Sequence, residues 1–238
     1  LGTFKEPGNE FKNNSDIYIK TFKDIFSSIK ENGFNIKKSI IPVSKEGVIL
    51  NGSHRLASLI SLNLLVPIVE IDIKPPKFDY KFFRSRKVPI QFLDQCVIKE
   101  IEIKRKFRKD LKMAIVWPAA DRNKLDLEKN IPNILYKKNI YFNFNGFHNL
   151  ISCVYDHESW LGNINNGFLG ARSKATLCYS DKNPLSVYLF EPSFTDDIVS
   201  FKESIRNEFG IKKSSIHIND NFEEILFLSD IFFNQNTI

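Results

Sequence analysis

The sequence predicts a mixed α/β (α+β) protein built as two domains on either side of a basic connector. Three observations lead there. Short β-branched and aromatic runs alternate with longer stretches of helical periodicity; Pro75-Pro76 closes a first set of elements near residue 75; and 238 residues are enough for one large or two small domains.

In the first domain, expected over 1–75, Ile17, Phe22, Ile25, Phe26 and Ile29 recur at helical spacing, and Gly33 supplies the stop. Ile40 to Val43 reads as a strand, Ser44-Lys45-Glu46-Gly47 as a tight turn and Val48-Ile49-Leu50 as the returning strand of a hairpin. Asn51-Gly52 ends it. Ser53 is the expected N-cap of a helix carrying Leu56, Ala57, Leu59 and Ile60 on one face, and Val66 to Ile73 is the next strand.

Residues 76–112 read as the connector, rich in aromatic and basic residues and including Lys104-Arg105-Lys106-Phe107-Arg108-Lys109. The second domain, 113–238, is expected to be mixed α/β. Its predicted strands are Met113 to Trp117, Ile140 to Phe144, Ala175 to Tyr179, Leu185 to Phe190 and Ser215 to Ile218. Helices are expected from Asp126, over Asn149 to His157, over Asp196 to Phe209 and over Glu223 to Phe233, with a hairpin turn at Asp181-Lys182-Asn183-Pro184.

Composition narrows the function classes. With 42% hydrophobic and 26% charged residues the chain is neither disordered nor fibrous. Lys and Arg number 34 against 28 Asp and Glu, a net +6 that suits a polyanion, an acidic membrane surface or a phosphorylated small molecule. Cys96, Cys153 and Cys178 sit in apolar runs and read as reduced, buried thiols of a cytoplasmic protein. No apolar stretch is long enough to cross a bilayer, so no membrane insertion is expected. Oligomeric state is not legible.

Gly47 to Ser58 carries the most chemistry. It reads as strand, glycine turn and helix start, so that backbone N–H groups and the positive end of a helix dipole face an anion, with His54 and Arg55 as side-chain donors. Arg offers a bidentate fork, and Gly52 lets backbone approach phosphate oxygens. A capped surface helix with basic residues in its first turn is the alternative.

The helix ending Glu31-Asn32-Gly33-Phe34, the strand, the short hairpin, Gly52-Ser53-His54-Arg55 as a G-x-H-R box, and the helix and strand after it resemble the ParB/sulfiredoxin fold. The likeness covers about a third of the chain. In that superfamily the box binds nucleotide phosphates: CTP in partition proteins, ATP in sulfiredoxins, ADP or ATP in ParB-like free-serine kinases. It implies a phosphate-binding turn of Asn51, Gly52, Ser53, His54 and Arg55. A sulfiredoxin needs a Cys immediately before the His-Arg pair, where this chain has Ser53, and a partition protein would continue into a helix-turn-helix region, which is not legible after residue 112. The kinase branch remains. It implies ATP or ADP with Mg²⁺ carried mainly by the nucleotide, and a small hydroxylated acceptor such as a sugar or amino acid. The resemblance also implies a catalytic carboxylate before the first helix: Glu10, with Glu6 the competitor. The two-part layout resembles proteins encoded with surface-polysaccharide biosynthesis enzymes. A non-catalytic nucleotide-binding regulator or a nucleic-acid binder is the other reading.

Further candidates lie in the second domain. His217 and Asp220 stand at a strand end, where α/β sheets collect ligand groups, and would serve the acceptor; the bland alternative has Asn219 or Asp220 capping the last helix with Glu223 as partner. Lys202 and Arg206 share a helix face and could clamp an anion. The loop with Gly162, Gly167, Gly170, Arg172 and Lys174 could cradle phosphate but is not a P-loop. His148 and His157 point to opposite sides of a helix, so no zinc site is expected. The connector's interleaved aromatics would suit single-stranded nucleic acid, a partner its carboxylates disfavour.

Overall fold

A computed structural model describes residues 10–75, 77–107, 109–192 and 197–234. The chain divides into two compact units, Leu1–Val88 and Pro89–Ile238.

In the first unit, α1 (Ser15–Asn32) starts where the Asn14 side chain accepts the Ile17 N–H at 3.0 Å. It stops at Gly33, whose φ of 72° turns its N–H back to the Ile29 carbonyl. Its buried Ile29 packs with Ile41 and Val43 of β1 (Ile41–Ser44) and Leu59 of α2 (Ser53–Ser61). β2 (Ile68–Ile71) pairs parallel with β1, Ile41 opposite Ile68. The returning strand expected at 48–50 shrinks to one bridge, Val43 opposite Ile49, because only three residues separate the turn at Gly47 from that at Asn51-Gly52. The short α3 (Tyr80–Ser85), capped by Asp79, completes the unit.

The second unit contains α4 (Ile90–Lys106), β3 (Lys112–Val116), α5 (Leu127–Asn130), β4 (Ile134–Ile140), α6 (Phe144–Val154), α7 (Leu169–Cys178), β5 (Leu185–Phe190), α8 (Ile198–Phe209), β6 (Ile216–Ile218) and α9 (Phe222–Phe233). Its sheet runs β4-β5-β3-β6 with every neighbouring pair antiparallel. The central β5 is buried along its whole length, and β3 along all but its first residue, as expected of strands covered on both faces. One face, through Ala114, Val116, Tyr188, Phe190, Ile216 and Ile218, packs on Leu127 of α5, on Ile131 just past its end, and on Ile205 and Phe209 of α8. On the other face Tyr136 meets Phe233 of α9 edge-on and donates its hydroxyl to Asp94 of α4.

Further stretches differ from the sequence expectation, and the helix expected over Asn149 to His157 runs earlier, as α6, because Asn143 caps it by accepting the Gly146 N–H. The segment 76–112 is divided: α3 falls in the first unit, while α4 buries Leu93, Asp94, Val97 and Ile101 in the second. Residues 175–178, expected in a strand, belong to α7, where Ala171, Ala175 and Cys178 are buried at helical spacing. The strand expected at Ile140 to Phe144 lies earlier, as β4. Lys137 and Lys138 mask its alternation until tertiary partners, Glu128 and Asp94, neutralise them at 2.8 Å each. Cys178 is buried as expected, whereas Cys96 and Cys153 are exposed.

Candidate functional site

The glycine turn is built by the reversal at Gly47. Ser44 N–H bonds the Val48 carbonyl and Leu50 N–H the Pro42 carbonyl, which carries Asn51-Gly52 back beside the start of β1. Gly52, not Ser53, occupies the cap position of α2, at φ 87° and ψ 25°, and no side chain caps the helix. Ser53 is the first helical residue. The reason is steric: this left-handed backbone costs an L-residue roughly 1–2 kcal/mol and glycine nothing comparable. A Cβ on Gly52 would stand 2.7 Å from Arg55 Nη2, so the guanidinium lies folded over the turn, with Nη1 3.5 Å from the Ile40 carbonyl. Asn51 Oδ1 accepts the Gly52 N–H.

His54 faces α1, its ring centroid 5.3 Å from Phe22 and 6.0 Å from Tyr18. Its ring thus joins α1 to α2, and its carbonyl accepts the Ser58 hydroxyl. The segment before α1 reaches the same neighbourhood, because Lys12 Nζ lies 5.6 Å above the Tyr18 ring. Glu10 is exposed in a turn there, its carbonyl 3.5 Å from Asn13 Nδ2. Glu6 lies outside the described residues.

A second constellation lines a cleft of about 500 Å³ within the second unit, walled by Tyr155, Asp156, His157, Glu158, His217 and the start of α9. Buried Asn219 pins the end of β6, accepting the Met113 N–H at 2.6 Å and donating to the Asn221 carbonyl. Asn221 then caps α9 by accepting the Glu224 N–H. Neither Asn219 nor Asp220 is the cap, and Glu224 rather than Glu223 is the reciprocal acid. Its Oε2 accepts the Asp220 N–H at 2.8 Å, and its Oε1 lies 2.7 Å from His217 Nε2. Burial opposes the charge on Glu224, but the His217 hydrogen bond and charge, with the Asp220 N–H, hold its carboxyl below the usual range.

Tyr155 lies edge-on to His217, ring centroids 5.7 Å apart, and burial raises its hydroxyl far above the ordinary tyrosine value. The Lys202 ammonium holds the Asp220 carboxylate at 2.8 Å and lowers its pKa. Sequence reading missed Glu224, although the Asn221-x-x-Glu224 spacing is a capping-box signature.

Other candidates are absorbed structurally. Lys202 is held by Asp220, and Arg206 by Glu203 and the Ile216 carbonyl, so neither faces an anion alone. Gly170 is needed for packing: a Cβ there would fall 1.8 Å from the Trp160 carbonyl oxygen. His157 lies beyond the end of α6 beside Asp156 and Glu158, and His148 Nε2 approaches the Phe168 carbonyl. In the basic run, Lys104 pairs with Glu100 and Glu191 and Arg105 with Glu223, which removes much of its pull on nucleic acid. Among the described residues no cluster of three His, Cys, Asp or Glu could hold a metal, and no helix is long and apolar enough to cross a membrane.

Comparison with known proteins finds no matching family model, curated protein or solved structure.

Proposed function

We propose that the first unit binds the phosphates of a nucleotide at the Gly52 turn, and that the chain is a nucleotide-dependent phosphotransferase acting on a small hydroxylated metabolite. The observation that carries this reading is the turn itself. A left-handed glycine at a helix N-terminus lies directly beneath a guanidinium, which converges backbone donors, the helix dipole and an arginine fork on one spot. A helix start that merely capped itself would not gain from a basic residue there, because a positive charge opposes the dipole. Phosphoryl transfer asks mainly for positioning and charge neutralisation, which this arrangement suits. The likeness of the G-x-H-R segment to the ParB/sulfiredoxin fold supports the choice of nucleotide.

In this reading the first-turn backbone at Ser53 and the Arg55 guanidinium hold phosphate, Gly52 supplies the left-handed turn with its N–H taken by Asn51, and His54 orients α2 against α1. Mg²⁺ arrives on the nucleotide. Glu10, in the segment that Lys12 and Tyr18 tie toward His54, is the base for the acceptor hydroxyl. Calorimetry with ATP, ADP and CTP tests the binding: at least one binds, and Arg55→Ala weakens it tenfold or more. Failure of all three, or unchanged affinity in Arg55→Ala, rejects the turn as a phosphate site. Transfer is then scored against a panel of sugars and amino acids. Glu10→Gln keeps nucleotide binding and loses transfer, whereas binding without turnover on any acceptor makes the protein a nucleotide-binding regulator.

A further inference from the structure

The His217 cleft has a chemistry of its own, and every residue it uses lies in the second unit. Its carboxylates alone would be an ordinary solvated face. The strand-end histidine, held in one orientation, makes the difference. Glu224 Oε1 accepts from His217 Nε2 at 2.7 Å, and the Asp220 N–H fixes the other oxygen of the same carboxylate. A carboxylate can only accept, so Nε2 carries a proton, and in the neutral imidazole the lone pair is on Nδ1. No hydrogen bond to Nδ1 is found among the described residues, and the side chain, 16% exposed, lines the cleft. A carboxylate-backed imidazole in the wall of a cavity has the pairing that a general base uses.

The wall chemistry sets what such a base would meet. Five carboxylates line the cleft, Asp156, Glu158, Asp220, Glu223 and Glu224, in a protein whose net charge is +6. Lys202 pairs with Asp220 and Arg105 with Glu223, whereas no Lys or Arg pairs with Asp156, Glu158 or Glu224 among the described residues: His157 lies beside the first two, Glu158 also accepts the Trp160 indole N–H, and Glu224 holds His217 and the Asp220 N–H. The cleft is therefore rich in acceptors and poor in donors, and it repels anions such as phosphates. It holds no serine or cysteine nucleophile. Phe227, 38% exposed, adds an apolar wall, and the volume suits a monosaccharide-sized ligand.

We infer that this cleft binds a small hydroxylated amine, its ammonium held by Asp156 and Glu158 and a hydroxyl set against His217 Nδ1. There the ligand O–H donates a hydrogen bond to the Nδ1 lone pair, while Glu224 holds the proton on Nε2 and so keeps that lone pair available. The inference stands apart from the nucleotide reading.

Three probes of similar size and different charge test it on the full chain: glucosamine, glucose and gluconate. With only four histidines in the sequence, the imidazole resonances are assignable by NMR using His217→Gln. Glucosamine should bind and shift the His217 resonance, glucose should bind at least tenfold more weakly, and gluconate should not bind. Glu224→Gln should weaken glucosamine tenfold or more. The surface variant Asp156→Asn/Glu158→Gln, with Asp156 exposed and Glu158 partly so and its amide oxygen still able to accept the Trp160 N–H, should erase the preference for glucosamine over glucose without altering the thermal midpoint. No glucosamine binding at millimolar concentration, gluconate binding as tightly, shifts confined to the other histidines, or a charge preference retained in the surface variant would each overturn the inference. Nucleotide binding, measured separately on the same chain, reports on the first unit alone, so the two readings fail independently.

Discussion

Asp94 offers the sharpest test of how the second unit is held together. Its carboxylate is 4% exposed and receives the Tyr136 hydroxyl at 2.7 Å and the Lys138 ammonium at 2.8 Å, while Lys138, 17% exposed, also donates to the Phe232 carbonyl. One acid of α4 thus ties β4 and, through Lys138, α9. Asp94→Ala takes away the acceptor that both groups share and leaves a largely buried ammonium without its counter-charge. Breaking a buried pair this way costs about 3–5 kcal/mol, and the residual hydration of Lys138 puts the expectation near the lower limit, about 3 kcal/mol. For a unit of this size that corresponds to a fall in Tm of roughly 6–12 °C, read by thermal and urea unfolding at neutral pH. The triple variant Asp94→Leu/Tyr136→Phe/Lys138→Met removes the charges and the hydroxyl together and should recover to within about 2 kcal/mol of the parent, with the Phe232 carbonyl as the remaining unmet acceptor. A loss below about 1 kcal/mol in Asp94→Ala, the scale of an exposed pair, would refute the reasoning. So would a triple variant no more stable than the single one.

The other expectations concern single sites. Gly52→Ala should cost about 1–2 kcal/mol from backbone strain and displace Arg55, lowering nucleotide affinity tenfold or more; unchanged stability by urea unfolding would contradict the crowding at that turn. Gly170→Ala forces a Cβ into the Trp160 carbonyl and should cost about 3 kcal/mol, the upper end for overpacking, with wild-type stability the refuting result. In native thiol labelling Cys96 and Cys153 should react and Cys178 should not, because burial both shields it and raises its thiol pKa; equal rates at all three would place Cys178 elsewhere. The Glu224 carboxyl sits below its usual value, so its contribution is complete above 4.5 and fades as pH falls through the lower folded value. The stability gap between wild type and Glu224→Gln should therefore narrow on acidification, and a gap that widens would reverse the sign. Asp220, 73% exposed, should matter little by the same measure.

Elements whose stabilising signals are local were legible in the chain. α1 carries its own stop at Gly33, α8 ends at Gly210, and β5 is apolar but for Ser186, the kind of run that a covered central strand requires. Where a signal depends on distant residues, reading fails. β4 looks too polar for a strand until Asp94 and Glu128 meet its lysines, and α7 looks strand-like because its buried face is made of Ala and Cys, which carry little periodic contrast. The same division holds for the candidate sites. Gly52 and Arg55 are three residues apart, so their meeting follows from a turn. His217 and Glu224 meet only because Asn219 and Asn221 fix the path from β6 into α9.

By itself the sequence determined the mixed α/β class, most of the helices, the absence of a long apolar span and the glycine turn with its basic residues, because each rests on composition or on neighbours within a few positions. The tertiary structure alone decided that the chain divides after Val88, that α4 is core rather than connector, and that His217 takes Glu224 as its partner. These features rest on burial and on pairs such as Asp94 with Lys138, 44 residues apart, whose energies exist only once the intervening chain has folded.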